Sequence, residues 1–446
     1  MTRTTPRTTP RREFLRWAAG AAAFGPFFHF PARARASQRT LKVAKWAHFL
    51  PEYDQWFVNV LAAEWGRHND TKVTVDVIPL EQIRDRAFAE VKAGKGHDMF
   101  MFPWPPAEFC QHVIDHRDIY QAVAGRAGAI QQLAHRSTFD FTAKTYFAFT
   151  DFWIPSPFQF LEDYWAPIRM GAGPVHYNGL LGGAKEIREK FKVPCGLAFS
   201  PTLEGNVTLH TILYASRAWI FDGTDVLFNK NAFAKNTLSF IQRLYQQAGA
   251  PEQLTWGPAG NVHAMLSRKT SCSMNGISLA RTAEKEAPEV AKNIRLEPPL
   301  MGRNGMGVTA LPHVTNCSAV WKFAQNQEAA RKFVADLVDS SRASYEQSKG
   351  VNLPIYPKAV PDFILRIEDD PQADPPSRYA PLKDALHWTP NLGVPGMANP
   401  AFMEIFNTSV VPRMVAKVLK GEQSAEEAAA AGAHEMQRIA DKWKQA

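Results

Sequence analysis

Between Leu41 and Pro103 the chain switches repeatedly between two hydrophobic periods, and that alternation leaves few folds open. "LKVAKWA" reads as a strand. Pro51 stands where a helix can begin, because its missing N–H costs nothing in a first turn. "EYDQWFVNVLAAEW" follows, with Trp56, Phe57, Val60 and Leu61 on one helical face. "KVTVDVIP" alternates Val73, Val75 and Val77 as a strand should. "EQIRDRAFAEVKAG" returns to the helical period and ends near Gly94, and "HDMFMFP" is a short apolar run bounded by Pro103. A β-α-β-α-β order points to a parallel sheet covered by helices.

The alternation resumes further on. "TYFAFTDFWIP" is a strand ending at Pro155. After it come a helix near "AKEIREKF", a strand "PCGLAFS", a helix "VTLHTILYASRAWI", a strand "VLFN" and a long helix from Asn231 to Gln247. "SCSMNGIS" reads as a strand leading into the helix "LARTAEKE"; "CSAVWKFA" is a later strand and "EAARKFVADLVDSSRASYEQ" a long helix. Pro354 to Pro376 is proline-rich and irregular. Two helices close the chain, one through "AFMEIFNTSVVPRMVAKVLKG", kinked by Pro412, and one whose Ser424 and Glu427 form a capping box. Two consecutive α/β systems suggest a ligand site between them. In open parallel sheets ligands sit beyond the carboxyl ends of strands. That directs attention to "HFLPEYDQW", "PWPP", "FWIPSPFQF", "SPTLEGN" and "NGIS".

The first 36 residues read differently. Trp17 to Ala32 is free of acidic and basic side chains, but these sixteen residues fall short of the roughly 20 that a membrane span needs. A basic start, a weakly apolar middle and a small-x-small end at Ala34-Arg35-Ala36 make an export signal. Arg11-Arg12-Glu13-Phe14-Leu15-Arg16 resembles the twin-arginine pattern, with Pro10 departing at the first position. Cleavage after Ala36 and a periplasmic location are expected. The formal charge of +8 belongs mostly to this segment. It carries seven arginines and one glutamate, leaving 44 basic against 42 acidic residues in the remainder. A nucleic-acid reading therefore loses the basic stripe it would need. About 410 residues remain, which suits two domains.

The chemical motifs are weak. Neither a Gly-x-Ser-x-Gly elbow nor a phosphate-binding Gly-x4-Gly-Lys-Ser/Thr occurs. Gly305 to Ala310 matches a loose dinucleotide pattern but does not follow a strand. Cys110, His112 and His116 have metal-like spacing, yet "PAEFCQHVIDHRD" also reads as an ordinary helix. Asp54, Asp151, Glu162 and Glu204 could supply a glycosidase pair. Cys110, Cys195, Cys272 and Cys317 are read as buried thiols, with a disulfide as the alternative in an oxidising compartment. No cofactor or metal is expected. The twelve tryptophans are more informative, because Trp104, Trp153, Trp256 and Trp388 stand beside proline or glycine or in loops. Flat rings with a few polar groups suit a small-molecule cleft, and such rings stack on sugars.

Taken in order and spacing, several segments resemble the extracellular solute-binding proteins, family 1, which deliver sugars and related solutes to ABC importers. They are "LKVAKWAHF", "EIREKFKVPCGLAFSPTLEGN", "NVHAMLSRKTSCSMNGIS", "WKFAQNQEAARKFVADLVDSS", "YEQSKGVNLPIYPKA" and the C-terminal helices. The resemblance implies an α/β, two-lobed periplasmic-binding-protein fold, each lobe a mainly parallel sheet. Lobe one would comprise 37–150 and 300–339, and lobe two 151–299 and 340–446. It implies a monomer that binds without converting, with a carbohydrate or related solute and the importer's membrane subunits as partners. Carried over, solute contacts fall in the loop from His48 to Trp56, including Asp54, and at Trp104, Glu204, Asn206, Trp256 and Asn275. Trp153 and Trp388 join them as loop aromatics. The alternative class is an exported enzyme, either a glycoside hydrolase or a cofactor-bearing oxidoreductase.

Overall fold

A computed structural model describes residues 39–222, 225–228, 230, 232–302 and 309–445. The export motif, with Arg11, Arg12 and Ala36, lies outside the described residues, as does most of the Gly305–Ala310 pattern.

Among the described residues nine strands build the two sheets of three or more strands: β1 (Arg39–Trp46), β2 (Thr71–Ile78), β3 (Met99–Phe102), β4 (Phe149–Ile154), β5 (Phe158–Leu161), β6 (Cys272–Met274), β7 (Ile294–Glu297), β8 (Val314–Val320) and β9 (Leu353–Pro354). The first sheet has the order β9-β4-β8-β3-β1-β2. Its first three strands are the parallel unit that the alternation called for: Val43 pairs with Val75 on one side and Met99 on the other. β8 returns antiparallel between β3 and β4, and β9 adds an antiparallel edge. β3, β4 and β8 are buried along their whole length. Continuous apolar runs, rather than alternating ones, are what a sheet covered on both faces requires. The sheet runs on through Ile154 and takes in Leu353–Pro354, so those residues belong to this layer.

The second sheet, β6-β5-β7, departs from expectation: it is antiparallel throughout. The segment expected to supply a parallel strand, "PCGLAFS", is extended but only partly paired. Ser271 N–H donates to the Pro194 carbonyl and Gly196 N–H to the Cys272 carbonyl, both at 3.0 Å. On its other side the Gln253 amide replaces a strand, donating to the Cys195 and Leu197 carbonyls at 2.9 and 2.6 Å. The Pro194, Cys195 and Leu197 carbonyls thereby find donors without a regular ladder.

The helices that matter for the site are α1 (Ile83–Ala93), α2 (Tyr177–Phe191), α3 (Leu203–Ala215), α4 (Ala232–Ala248), α5 (Pro400–Asn407), α6 (Val410–Leu419) and α7 (Ala425–Lys444). In α3 every residue from Glu204 to Ala215 is buried, as befits a helix without a wet face. Thr202 caps it by accepting the Gly205 N–H. A Cβ on Gly205 would come within 1.9 Å of the Ser200 carbonyl oxygen, so only glycine lets the entering chain fold this tightly onto the helix. α7 packs against α4, α5 and α6, and carries the expected Ser424–Glu427 box. The break before it is misread in the sequence. The chain does not kink at Pro412. It ends α5 at Asn407 and restarts after Ser409, whose φ is +54°, with Pro412 harmlessly inside the first turn of α6. Among the described residues no helix is long and apolar enough to cross a membrane.

Candidate functional site

The carboxyl ends of β1, β2 and β3 open onto a cavity of about 610 Å³. Each contributes a loop: Ala47 and Phe49 after β1, Pro79 to Arg84 after β2, and Phe102 to Phe109 after β3. Opposite them stand Pro201 to Asn206 at the start of α3, Pro258 and Ala259, and the Phe406–Ser409 break between α5 and α6. The break that the sequence concealed thus forms one wall.

A chain of hydrogen bonds crosses this space. The Trp104 indole N–H donates to Asn407 Oδ1 at 2.6 Å, and Asn407 Nδ2 donates to Glu108 Oε2 at 2.9 Å. Arg84 donates to Glu108 Oε1 through Nε and Nη2 at 2.9 and 2.7 Å. Burial raises the Glu108 pKa, against the pull of Arg84. The half-buried Trp104 ring meets Phe406 edge-on, with centroids 5.6 Å apart. On the opposite wall Glu204 is 8% exposed, and its Oε1 accepts the Ala259 N–H at 3.3 Å. Burial raises its pKa, and the charge of Glu81 raises it further. Asn206 donates to the Thr202 carbonyl at 3.2 Å and to Ser409 Oγ at 3.1 Å, while its Oδ1 has no partner. The cavity therefore combines apolar rings with carboxylates and amides, a surface suited to holding a polar solute.

Of the residues expected from the sequence, Trp104, Glu204 and Asn206 meet here and the others do not. His48 and Asp54 serve a different purpose. Asp54 pairs with buried Lys45 and accepts the His48 N–H at 2.9 Å. His48 Nε2 donates to Asn352 Oδ1 at 2.9 Å while its Nδ1 accepts the Leu50 N–H. Burial, with Lys45 adding to it, lowers the His48 pKa to about 3. Of the "HFLPEYDQW" loop only Phe49 reaches the cavity. Trp153 is 2% exposed within β4, paired opposite Thr315 and Leu353. Asn275 is buried and bonds Asn261. Trp388 is buried beside the Ala310 backbone. Trp256 is half-buried but does not line the cavity. The Gly257–Gly260 turn folds back on it, to where a Cβ on Gly260 would lie 2.6 Å from Trp256 Cβ, and Pro258 and Ala259 make the wall instead.

The enzyme and metal constellations come apart in the same way. Asp151 accepts from Asn316 Nδ2 at 2.7 Å inside the first sheet, and Glu162 pairs with Arg295. Only Glu204 of the four candidate carboxylates lies in the cavity. His116 is buried, donating to the Tyr146 carbonyl and accepting the Val320 N–H, so it does not share a helical face with His112. Among the described residues no group of three His, Cys, Asp or Glu side chains could hold a metal ion. The four cysteines are free thiols, with the Cys195 and Cys272 sulfur atoms 3.4 Å apart. Reasoning from the sequence missed Glu81, Arg84, Glu108, Phe406 and Asn407. The first two follow a parallel strand, so the strand-end rule applied to β2 would have found them.

No protein-family model matches the chain, and no curated protein matches it. Solved structures resemble it in fold. A sugar transporter of Arthrobacter chlorophenolicus A6 with bound laminaribiose matches 90% of this chain over 99% of its own, at 14% identity and a TM-score of 0.75. Maltose-bound MalE3 of T. maritima matches over the same shares at 15% identity and a TM-score of 0.74. An ABC transporter solute-binding protein of Thermotoga lettingae TMO bound with alpha-D-tagatose matches 90% of this chain over all of its own, at 15% identity and a TM-score of 0.72. At these identities the likeness is one of fold: the chain has the two-lobed periplasmic-binding-protein fold, with the parallel strands confined to one sheet.

Proposed function

We propose that this chain is the solute-capturing subunit of an ABC importer, holding a saccharide or related polar solute in the cavity between its lobes and releasing it unchanged. One observation carries the reading: three strand-end loops of the first sheet face the start of α3 and the α5–α6 break across a single cavity furnished with a tryptophan, carboxylates and amides. The bound saccharides named for the solved structures of like fold support it. The lobes divide at the chain crossings: after Ile154, between Glu297 and Val314, and after Pro354. Solute touching both walls would favour the closed arrangement, and the importer's membrane subunits would read that closed shape. The chain acts as a monomer, exported to the periplasm by its twin-arginine-like signal and cleaved after Ala36. Binding without turnover is the expected activity. Mass spectrometry of ligand released from gently purified protein should find one saccharide per chain, recovered intact. Conversion of that saccharide, abolished in Glu204→Gln, would overturn the reading in favour of a glycosidase.

A further inference from the structure

Resting on that reading, the charges in the cavity say which saccharide it takes. Three carboxylates line it, Glu81, Glu108 and Glu204, against one cation, Arg84. Arg84 is committed to Glu108, and Asn407 completes that carboxylate. Among the described residues no lysine, arginine or histidine pairs with Glu81 or Glu204. They enter from different walls, the exposed Glu81 from the loop after β2 and the buried Glu204 from the first turn of α3. Asn206 lines the same cavity at 5% exposure, with an amide oxygen that no donor reaches. The walls thus offer acceptors in excess.

A buried carboxylate without a cation is costly, and the cost falls away when the bound partner supplies the charge. A neutral sugar would bring hydroxyl donors but leave the buried Glu204 without a cation, while the exposed Glu81 stays in water. A uronate or sugar phosphate would add like charge. We propose that the cleft selects an amine-bearing saccharide, an amino sugar, whose ammonium group is held by Glu81 and Glu204 while its ring lies against Trp104. The raised Glu204 pKa agrees with this. After burial, the Glu81 charge is a minor further cause, so the two carboxyl groups are near enough to act on each other.

The test is a calorimetric titration of the mature protein, after unfolding and refolding to remove any carried ligand, with matched sets. Glucosamine, glucose and glucuronate form one set, and their 1,4-linked disaccharides another. The amine-bearing member of a set should bind about tenfold tighter than the neutral one, and its advantage should shrink with added salt. Glu204→Gln and Glu81→Gln should each erase most of that preference, read within each variant as the ratio of its amine-bearing to its neutral sugar affinity. Equal or tighter binding of glucose or glucuronate, or a preference that survives both substitutions, overturns the charge inference and leaves the solute-binding reading standing. Failure of every sugar in both sets, together with a native ligand that is not a saccharide, overturns both.

Discussion

Trp104 offers the sharpest test of the cleft, because the structure assigns its ring and its N–H separate jobs. The ring is half-buried between Pro103 and Pro105, which restrict the backbone, and it packs edge-on against Phe406. The N–H bonds Asn407, which in turn holds Glu108. In Trp104→Ala the solute loses a stacking face worth about 1–3 kcal/mol, the scale of one large apolar side chain buried. That corresponds to roughly tenfold weaker binding at the lower end and about a hundredfold at the upper. Trp104→Phe keeps a ring but leaves the Asn407 oxygen without its donor, a loss of about 1 kcal/mol. Calorimetry with the solute recovered from the native protein should therefore rank wild type, Phe and Ala in that order. Thermal unfolding of the unliganded protein should reveal no more than the loss of that internal bond, about 1 kcal/mol in either variant, since the ring itself faces a cavity. Equal affinity in all three would remove Trp104 from the contact surface. A Trp104→Ala protein that no longer folds would make the ring a core element, and the cleft assignment would fail with it.

Two further outcomes can be checked. Burial lowers the pKa of His48 and His313 to about 3 and of His116 and His210 to about 4. These neutral imidazoles hold their full stability above the unfolded value near 6.5 and lose it as pH falls toward 3–4. Each should cost about 2 kcal/mol at pH 5. Asp151, raised by burial to about 6, works in the opposite direction. Urea unfolding at pH 7 and pH 5 should show the loss, and His210→Phe should flatten it by about one histidine's share; a pH-independent midpoint would contradict the burial argument. Replacing Arg11 and Arg12 by lysine should block export, and normal periplasmic accumulation of that double variant would refute the twin-arginine route.

Which parts of this molecule could be read in advance follows from the length over which each signal persists. The parallel β1–β3 unit shows itself because two periods alternate over some sixty residues. Its carboxyl ends then locate Trp104, and the capped start of α3 locates Glu204 and Asn206. The second sheet hides because its strands are three or four residues long, too short for a period to register. Its missing parallel strand hides for another reason: a single glutamine side chain, Gln253, does the work of a neighbour. The α5–α6 break hides because both helices are strongly apolar and the visible proline lies inside the second, while the actual break falls at Ser409.

The "HFLPEYDQW" loop is the most instructive misreading, since its aromatic richness has a cause outside the cleft. Lys45 lies fully buried near the end of β1, 5.2–5.4 Å from the ring centroids of Trp46, Tyr53 and Phe57. Burial lowers its pKa, opposed by Asp54. A buried ammonium needs both a counter-ion and close packing. The loop supplies Asp54 for the first and Tyr53, with the adjoining Phe57, for the second. Tyr53 then bonds Ser344, and His48 bonds Asn352, so the loop is fastened to the segment leading into β9. With its neighbours so tied, Phe49 is the one ring of the loop turned to the cavity, where it rests on His313 with centroids 5.2 Å apart. His313 immediately precedes β8, on the crossing between Glu297 and Val314. One wall of the cleft is thus braced on the segments that join the two sheets. Lys45 is the mark of that arrangement, yet in a strand that also carries the exposed Lys42 it reads as an ordinary wet position until the structure shows it enclosed.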